Sequence, residues 1–239
     1  MEMIFYTDHS TKVSNYCLLN VKQYGKVTGK KDYMIDPSVY ELKNATEYSK
    51  IELLHELAQN PKPNETISID YPCDMNIVHG DDFIAKSKKN NMRYKENPQY
   101  ICTVQSYFND YHNFRFELAW LAERIDLSKK ILGVGNLCRI FTPTKVTDWI
   151  LRELRDVAIE RGVKRIHFYG LSMKMIESVY SWFKHEDIII SVDSTKWTRR
   201  VHTRPPLDKA ICCRKETRDI YFLEYIKELK RRIPIDIKY

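Results

Sequence analysis

Three carboxylates, one amide and two glycine turns close a series of short apolar runs along this chain: Ile35-Asp36, Ile69-Asp70, Val104-Gln105, Gly133-Val-Gly135-Asn136, Tyr169-Gly170 and Val192-Asp193. A single aspartate at the end of a strand often caps the next helix, and a single glycine often only makes the turn. Capping alone does not account for so many polar residues converging from separate strands onto one rim, whereas a catalytic pocket does. Paired carboxylates with an amide partner suit the chemistry of a glycosidic bond. One ionised carboxylate meets the anomeric carbon, and the other, protonated for part of the cycle, handles the leaving group. If the leaving group is a purine, its planar donor–acceptor edge can be read by a neutral amide such as Gln105 together with an aspartate.

Other reaction classes do not find their parts. The seven histidines form no HxH or HExxH pair, and neither a GxSxG elbow nor a GxxxxGK[ST] loop occurs. Gly133-Val-Gly135 is too short for a dinucleotide fingerprint. His167, within Ile166-His167-Phe168, reads as a core histidine rather than a metal ligand.

The elements that must position these residues follow from periodicity. Eight β-branched or aromatic runs are expected as strands: Met3–Thr7, Asp32–Asp36, Thr66–Asp70, Tyr100–Gln105, Ile131–Gly135, Arg165–Gly170, Ile188–Asp193 and Lys209–Cys213. Helical spacing lies between them. In Pro143–Arg161 one face carries Val146, Trp149, Ile150, Leu154, Val157 and Ala158, behind a Thr142-Pro143 start and ahead of Gly162. Asp110–Ile125 carries Phe114, Leu118, Leu121 and Ala122, and Met173–Phe183 carries Ile176, Val179, Tyr180 and Phe183. Alternating β and α elements predict an α/β fold, a (β/α)8 TIM-type barrel formed by residues 1–239 as a single domain. In that fold the strand ends named above share the catalytic mouth.

Composition is that of an ordinary globular chain, 43% hydrophobic and 30% charged, with no run of the length a membrane span needs. The first residues lack a secretion signal and the six cysteines form no CxxC pair, so a cytoplasmic protein with reduced thiols is expected. The net charge of +7 is concentrated between Lys196 and Arg218. Lys196, Trp197, Arg199 and Arg200 there form a candidate edge for a nucleic-acid backbone and an unstacked base.

These motifs resemble, in order and along nearly the whole chain, those of the guanine transglycosylases. Met34-Ile-Asp36-Pro-Ser-Val-Tyr40 resembles the family's Asp-Ser-Gly-Gly-Phe-Gln segment, with Ser38-Val39 in place of Gly-Gly. Ser68-Ile-Asp70-Tyr-Pro72 is similar to the segment whose Asp bonds the purine. Thr103-Val-Gln105 is similar to the Val-Gln-Gly element, with Ser106 where Gly is usual. Leu132-Gly-Val-Gly135-Asn136 looks like the glycine-rich strand end against the base. Ser191-Val-Asp193-Ser-Thr-Lys-Trp-Thr-Arg199 resembles Asp-Cys-Val-Met-Pro-Thr-Arg. The resemblance implies Asp193 as the nucleophile on C1′, Asp36 as the general acid/base, and Asp70, Gln105, Gly133 and Gly135 as the base-binding set.

The tRNA enzymes of that family carry a Cys-x-Cys-x-x-Cys zinc site, and no such spacing follows Asp193, so no metal or other cofactor is expected. The compact chain is most similar to the branch that inserts 7-deazaguanine into DNA, the deoxypurine in DNA protein A type. The implied partners are a nucleic acid, DNA ahead of tRNA, and a 7-deazaguanine base, with no membrane; a helper protein or a homodimer is left open. A tRNA-guanine ribosyltransferase, a base-releasing glycosidase that uses water, and an inactive barrel that binds nucleic acid or partners an active subunit are the alternatives.

Overall fold

A computed structural model describes residues 1–8, 11–25, 29–30, 32–36, 49–71, 83–138, 140–193 and 215–239. Eight parallel strands form a barrel: β1 (Glu2–Asp8), β2 (Tyr16–Asn20), β3 (Asp32–Asp36), β4 (Glu65–Ile67), β5 (Ile101–Val104), β6 (Ile131–Val134), β7 (Arg165–Phe168) and β8 (Ile189–Asp193). They pair in the order β4-β3-β2-β1-β8-β7-β6-β5. The ring is drawn together where Ile67 bridges Tyr100 and the Ile67 amide donates to the Gln99 carbonyl at 2.9 Å. The molecule is an α/β barrel of the TIM type.

Six described helices accompany the strands: α1 (Ser49–Gln59), α2 (Phe83–Arg93), α3 (Tyr111–Arg124), α4 (Lys145–Glu160), α5 (Met173–Phe183) and α6 (Lys215–Arg232). Local chemistry sets their limits. Asp110 and Ser172 cap α3 and α5 by accepting from Asn113 N and Met175 N. Thr144 and Thr147 cap each other's backbone at the start of α4, which begins two residues beyond the expected Pro143. Gly162, at φ +66°, turns the chain out of α4 in the left-handed region that an L side chain resists.

Seven of the eight expected strands are present. The eighth, Lys209–Cys213, lies outside the described residues. Tyr16–Asn20, not foreseen, sits in the barrel wall between β1 and β3. Its upward offset explains how so short a connection works: Thr7 and Asp8 at the top of β1 pair with Cys17 and Leu18, so the chain enters β2 without returning to the barrel floor. The lower half of that flank of β1 is filled by the C-terminal β9 (Ile237–Lys238), paired to Met3 and Ile4. The α4 face also needs one correction. Trp149 is 51% exposed and leans on Tyr111 of α3 instead of entering the core, because ring bulk at the face edge fits between helices.

Strand alternation divides the apolar residues into two sets. Met3, Phe5, Leu19, Ile35, Cys102, Leu132, Ile166 and Ile190 belong to the large core under the helices, where Phe5 meets Phe222 and Tyr225 of α6. Ile4, Tyr6, Tyr16, Met34, Ile101 and Ile131 form a separate cluster inside the barrel. Among the described residues no helix is long and apolar enough to cross a membrane.

Candidate active site

The inward phase of each strand can be followed to its C-terminal end. From Tyr6, Met34, Ile101 and Ile131 inside the barrel, steps of two residues lead to Asp36, Gln105 and to Gly133 and Gly135. The register pairs Val104 with Val134, Val134 with Phe168, and Phe168 with Val192. The next residues, Gln105, Gly135, Tyr169 and Asp193, therefore stand at one level around the mouth.

Asp70 anchors one side. Ser68 Oγ donates to its Oδ1 at 2.8 Å and Gln105 Nε2 donates to its Oδ2 at 3.1 Å. Burial raises the Asp70 carboxyl from 3.8 to about 6; the Ser68 and Gln105 hydrogen bonds oppose the rise, and the charge of nearby Asp193 adds to it. Gln105 is itself buried, and its Oε1 has no hydrogen-bond partner among the described residues. The same holds for Oδ1 of buried Asn136, whose Nδ2 donates to Ser106 Oγ at 2.6 Å.

The two glycines have distinct physical reasons. A Cβ on Gly135 would lie 2.0 Å from Gln105 Nε2, so the glutamine amide lies directly over this backbone. A Cβ on Gly133 would lie 2.6 Å from Thr103 Oγ1 and 3.0 Å from Tyr169 Oη. The space opened by Gly133 is thus filled by side chains of the chain itself.

Tyr169 crosses the lumen, its hydroxyl between Ser68 Oγ at 2.7 Å and Thr103 Oγ1 at 3.0 Å, and burial drives its pKa well above the ordinary tyrosine value. Asp36 lies close enough for its charge to reinforce that rise. On the far side Asp193 is largely buried. Its Oδ1 accepts from Gly170 N at 2.9 Å and its carbonyl from Leu171 N at 3.2 Å. His167 packs beneath, its ring 4.5 Å from that of Tyr169 and its Nε2 3.3 Å from Asp193 Oδ1.

Of the expected site residues, Asp70, Gln105, Gly135 and Asp193 come together at the mouth, with Gly133 one inward step below and Asp36 on the inward phase of β3, near enough for its charge to act on Tyr169. Lys196, Trp197, Arg199 and Arg200 lie outside the described residues. His167 is buried as read, but its contact with Asp193 was not anticipated, and Tyr169 and Ser68 had no assigned role. The signal was available: 167 and 169 lie an even number of residues along the inward phase of β7, as 193 does in β8. Some basic residues elsewhere on the barrel pair with carboxylates of the chain itself. Lys88 pairs with Glu117 at 2.8 Å, and Arg232 with Glu177 at 2.7 Å. Among the described residues no group of three or more histidine, cysteine, aspartate and glutamate side chains is placed to hold a metal.

The fold and mouth define the class, an α/β barrel with a carboxylate-rich C-terminal rim. No protein-family profile and no curated protein matches the chain. Among solved structures, a chain from Coccidioides immitis assigned as a fructose-1,6-biphosphate aldolase is similar over 98% of this chain and 91% of its own, at 9% identity and a TM-score of 0.35. A likeness that distant carries no argument about chemistry.

Proposed function

We propose that the protein is an enzyme that exchanges a purine base in nucleic acid, replacing guanine by a 7-deazaguanine through a covalent sugar ester on Asp193. The observation that carries this reading is the Asp70–Gln105 pair. A carboxyl held at 3.1 Å from a buried amide, whose own oxygen lacks a partner among the described residues, offers several acceptors in one small region. The N1–H and 2-amino donors of guanine match such an edge. In this reading an Asp193 oxygen forms the bond to C1′ while the C1′–N9 electron pair leaves with guanine. Protonated Asp36 supplies the proton that the departing base takes up, and the resulting Asp36 carboxylate then deprotonates the incoming base as it displaces the ester. DNA is the favoured polymer, and because a base must leave the stack before C1′ can be attacked, the reading includes base flipping.

The test is incubation of the purified protein with radiolabelled guanine and, separately, duplex DNA, single-stranded DNA and tRNA, with label counted in washed polymer. Incorporation into one polymer supports base exchange and names the substrate class. Near-native exchange by Asp193→Ala would remove the nucleophile assignment, and absence of incorporation into any polymer would favour a barrel that only binds.

A further inference from the structure

Asp193 does not stand alone on β8; it stands above a histidine that no reaction step has yet used. The His167 ring is fully enclosed inside the barrel. Its Nδ1 lies 3.1 Å from Ser191 Oγ, and its Nε2 lies 3.3 Å from Asp193 Oδ1. The two atoms are within hydrogen-bonding reach but are not aligned for a hydrogen bond in this geometry, and no described residue supplies Nε2 with another partner. Oδ1 already accepts from the Gly170 amide at 2.9 Å, while no described residue bonds Oδ2.

Burial holds the imidazole toward its neutral form, with Asp193 pulling the other way and the Arg165 charge adding to the fall. A neutral ring carries one N–H. Placed on Nδ1, that proton would leave a bare nitrogen lone pair facing a carboxylate oxygen. Placed on Nε2, it is offered to Oδ1, which a small turn of the ring would align, and the Ser191 hydroxyl can donate to Nδ1. Ser191 Oγ also lies 3.2 Å from the Ile166 carbonyl, and its single proton serves only one of the two acceptors.

We propose that His167 is the positioning residue of Asp193: Nε2–H and the Gly170 N–H both hold Oδ1, so that Oδ2 is the oxygen that meets the electrophile. Naming that electrophile as C1′ rests on the base-exchange reading; the pairing does not. In the first half-reaction an Oδ2 lone pair forms the C1′–O bond as the C1′–N9 pair leaves with the base. Oδ1 becomes the ester carbonyl and keeps both donors. When the incoming base attacks C1′, the C1′–O pair returns to Asp193, and the restored negative charge is met by the same two N–H groups.

The experiment is 15N NMR of the intact protein with histidine-labelled rings, with the His167 signals identified by their loss in His167→Gln. The expected spectrum has a protonated Nε2 and a bare Nδ1. Asp193→Ala shifts Nε2, and Ser191→Ala shifts Nδ1 while Nε2 stays protonated. A protonated Nδ1 in the native protein, or an Nε2 signal unmoved by Asp193→Ala, overturns the pairing whatever the reaction is. In the exchange assay, folded His167→Leu should lose about 100-fold in kcat with KM little changed, since misplacing a reacting group by about 1 Å costs that much. His167→Gln, which keeps an N–H donor, should recover part of it, and native kcat in His167→Leu overturns the positioning role. If the native protein exchanges no base while the spectrum is as expected, base exchange fails and the pairing stands.

Discussion

The Gln105 amide lies against the backbone of Gly135 and donates to Asp70 Oδ2 at 3.1 Å, so the ends of three strands share one small polar unit. A methyl group on residue 135 would sit 2.0 Å from Gln105 Nε2 and cannot be accommodated without moving the amide. Gly135→Ala should therefore destabilise the barrel by about 1–3 kcal/mol through overpacking. In the exchange assay it should raise KM for the base more than it lowers kcat. Urea denaturation and steady-state kinetics on the same preparation check both effects, and an unchanged KM would show that the Gln105 amide does not read the base.

The buried carboxyl of Asp70 makes stability depend on pH in a stated direction. Its folded value, about 6, lies above its ordinary 3.8, so the folded protein holds this proton more tightly than the unfolded chain. Its contribution is present below 3.8 and is lost as pH rises to about 6. A rise of this size corresponds to about 3 kcal/mol. Asp70→Asn should remove that decline, so the variant gains on the native protein between pH 4 and pH 7 by an amount of order 3 kcal/mol or less. Denaturation midpoints at the two pH values measure it, and equal pH slopes for the two proteins would mean that Asp70 titrates normally.

Gly170 adopts φ +61° and from that conformation its amide donates to Asp193 Oδ1 at 2.9 Å. A methyl group at this position would also lie 3.1 Å from Cys138 Cβ. Gly170→Ala should cost about 1–2 kcal/mol from the left-handed backbone alone. If Asp193 is the nucleophile, kcat should fall by a larger factor than this loss of stability explains under conditions where the variant remains folded. Retention of full kcat would show that the Gly170 donor does not position Asp193.

Asp36→Asn removes the proposed acid/base while leaving Asp193 in place. Exchange should fall by roughly 10²- to 10⁴-fold, the usual contribution of a general acid/base. Denaturing electrophoresis of enzyme mixed with labelled polymer reports on the ester directly. Loss of exchange without loss of a trappable adduct from a pre-activated substrate is the expected pattern for Asp36, whereas Asp193→Ala should form no adduct.

Thr144 provides a control that bonds none of the proposed site residues. It caps α4, accepting from Thr147 N at 3.3 Å while its own amide donates to Thr147 Oγ1 at 2.6 Å. Thr144→Ala should lower stability by about 1 kcal/mol and leave exchange at the native level when assayed well below the melting transition. A loss of activity there would point to coupling between the α4 cap and the mouth.

The alternation of strands and helices, the stop at Gly162 after α4, and the polar residues that close six of the strands were legible in the residues alone. Those features depend on neighbours a few residues apart: a glycine after the last turn of a helix, an aspartate after an apolar run. Tertiary structure decided the rest because it depends on register between strands far apart in the chain. That register admits Tyr16–Asn20 into the wall beside β1, since the four-residue apolar run Tyr16–Leu19, between Asn15 and Asn20, becomes a strand only when β1 and β3 supply its hydrogen bonds. It fills the space at Gly133 with Tyr169 and Thr103. It also sets His167 of β7 beneath Asp193 of β8, a contact between residues whose inward phases were each legible but whose relative height follows only from closing the barrel.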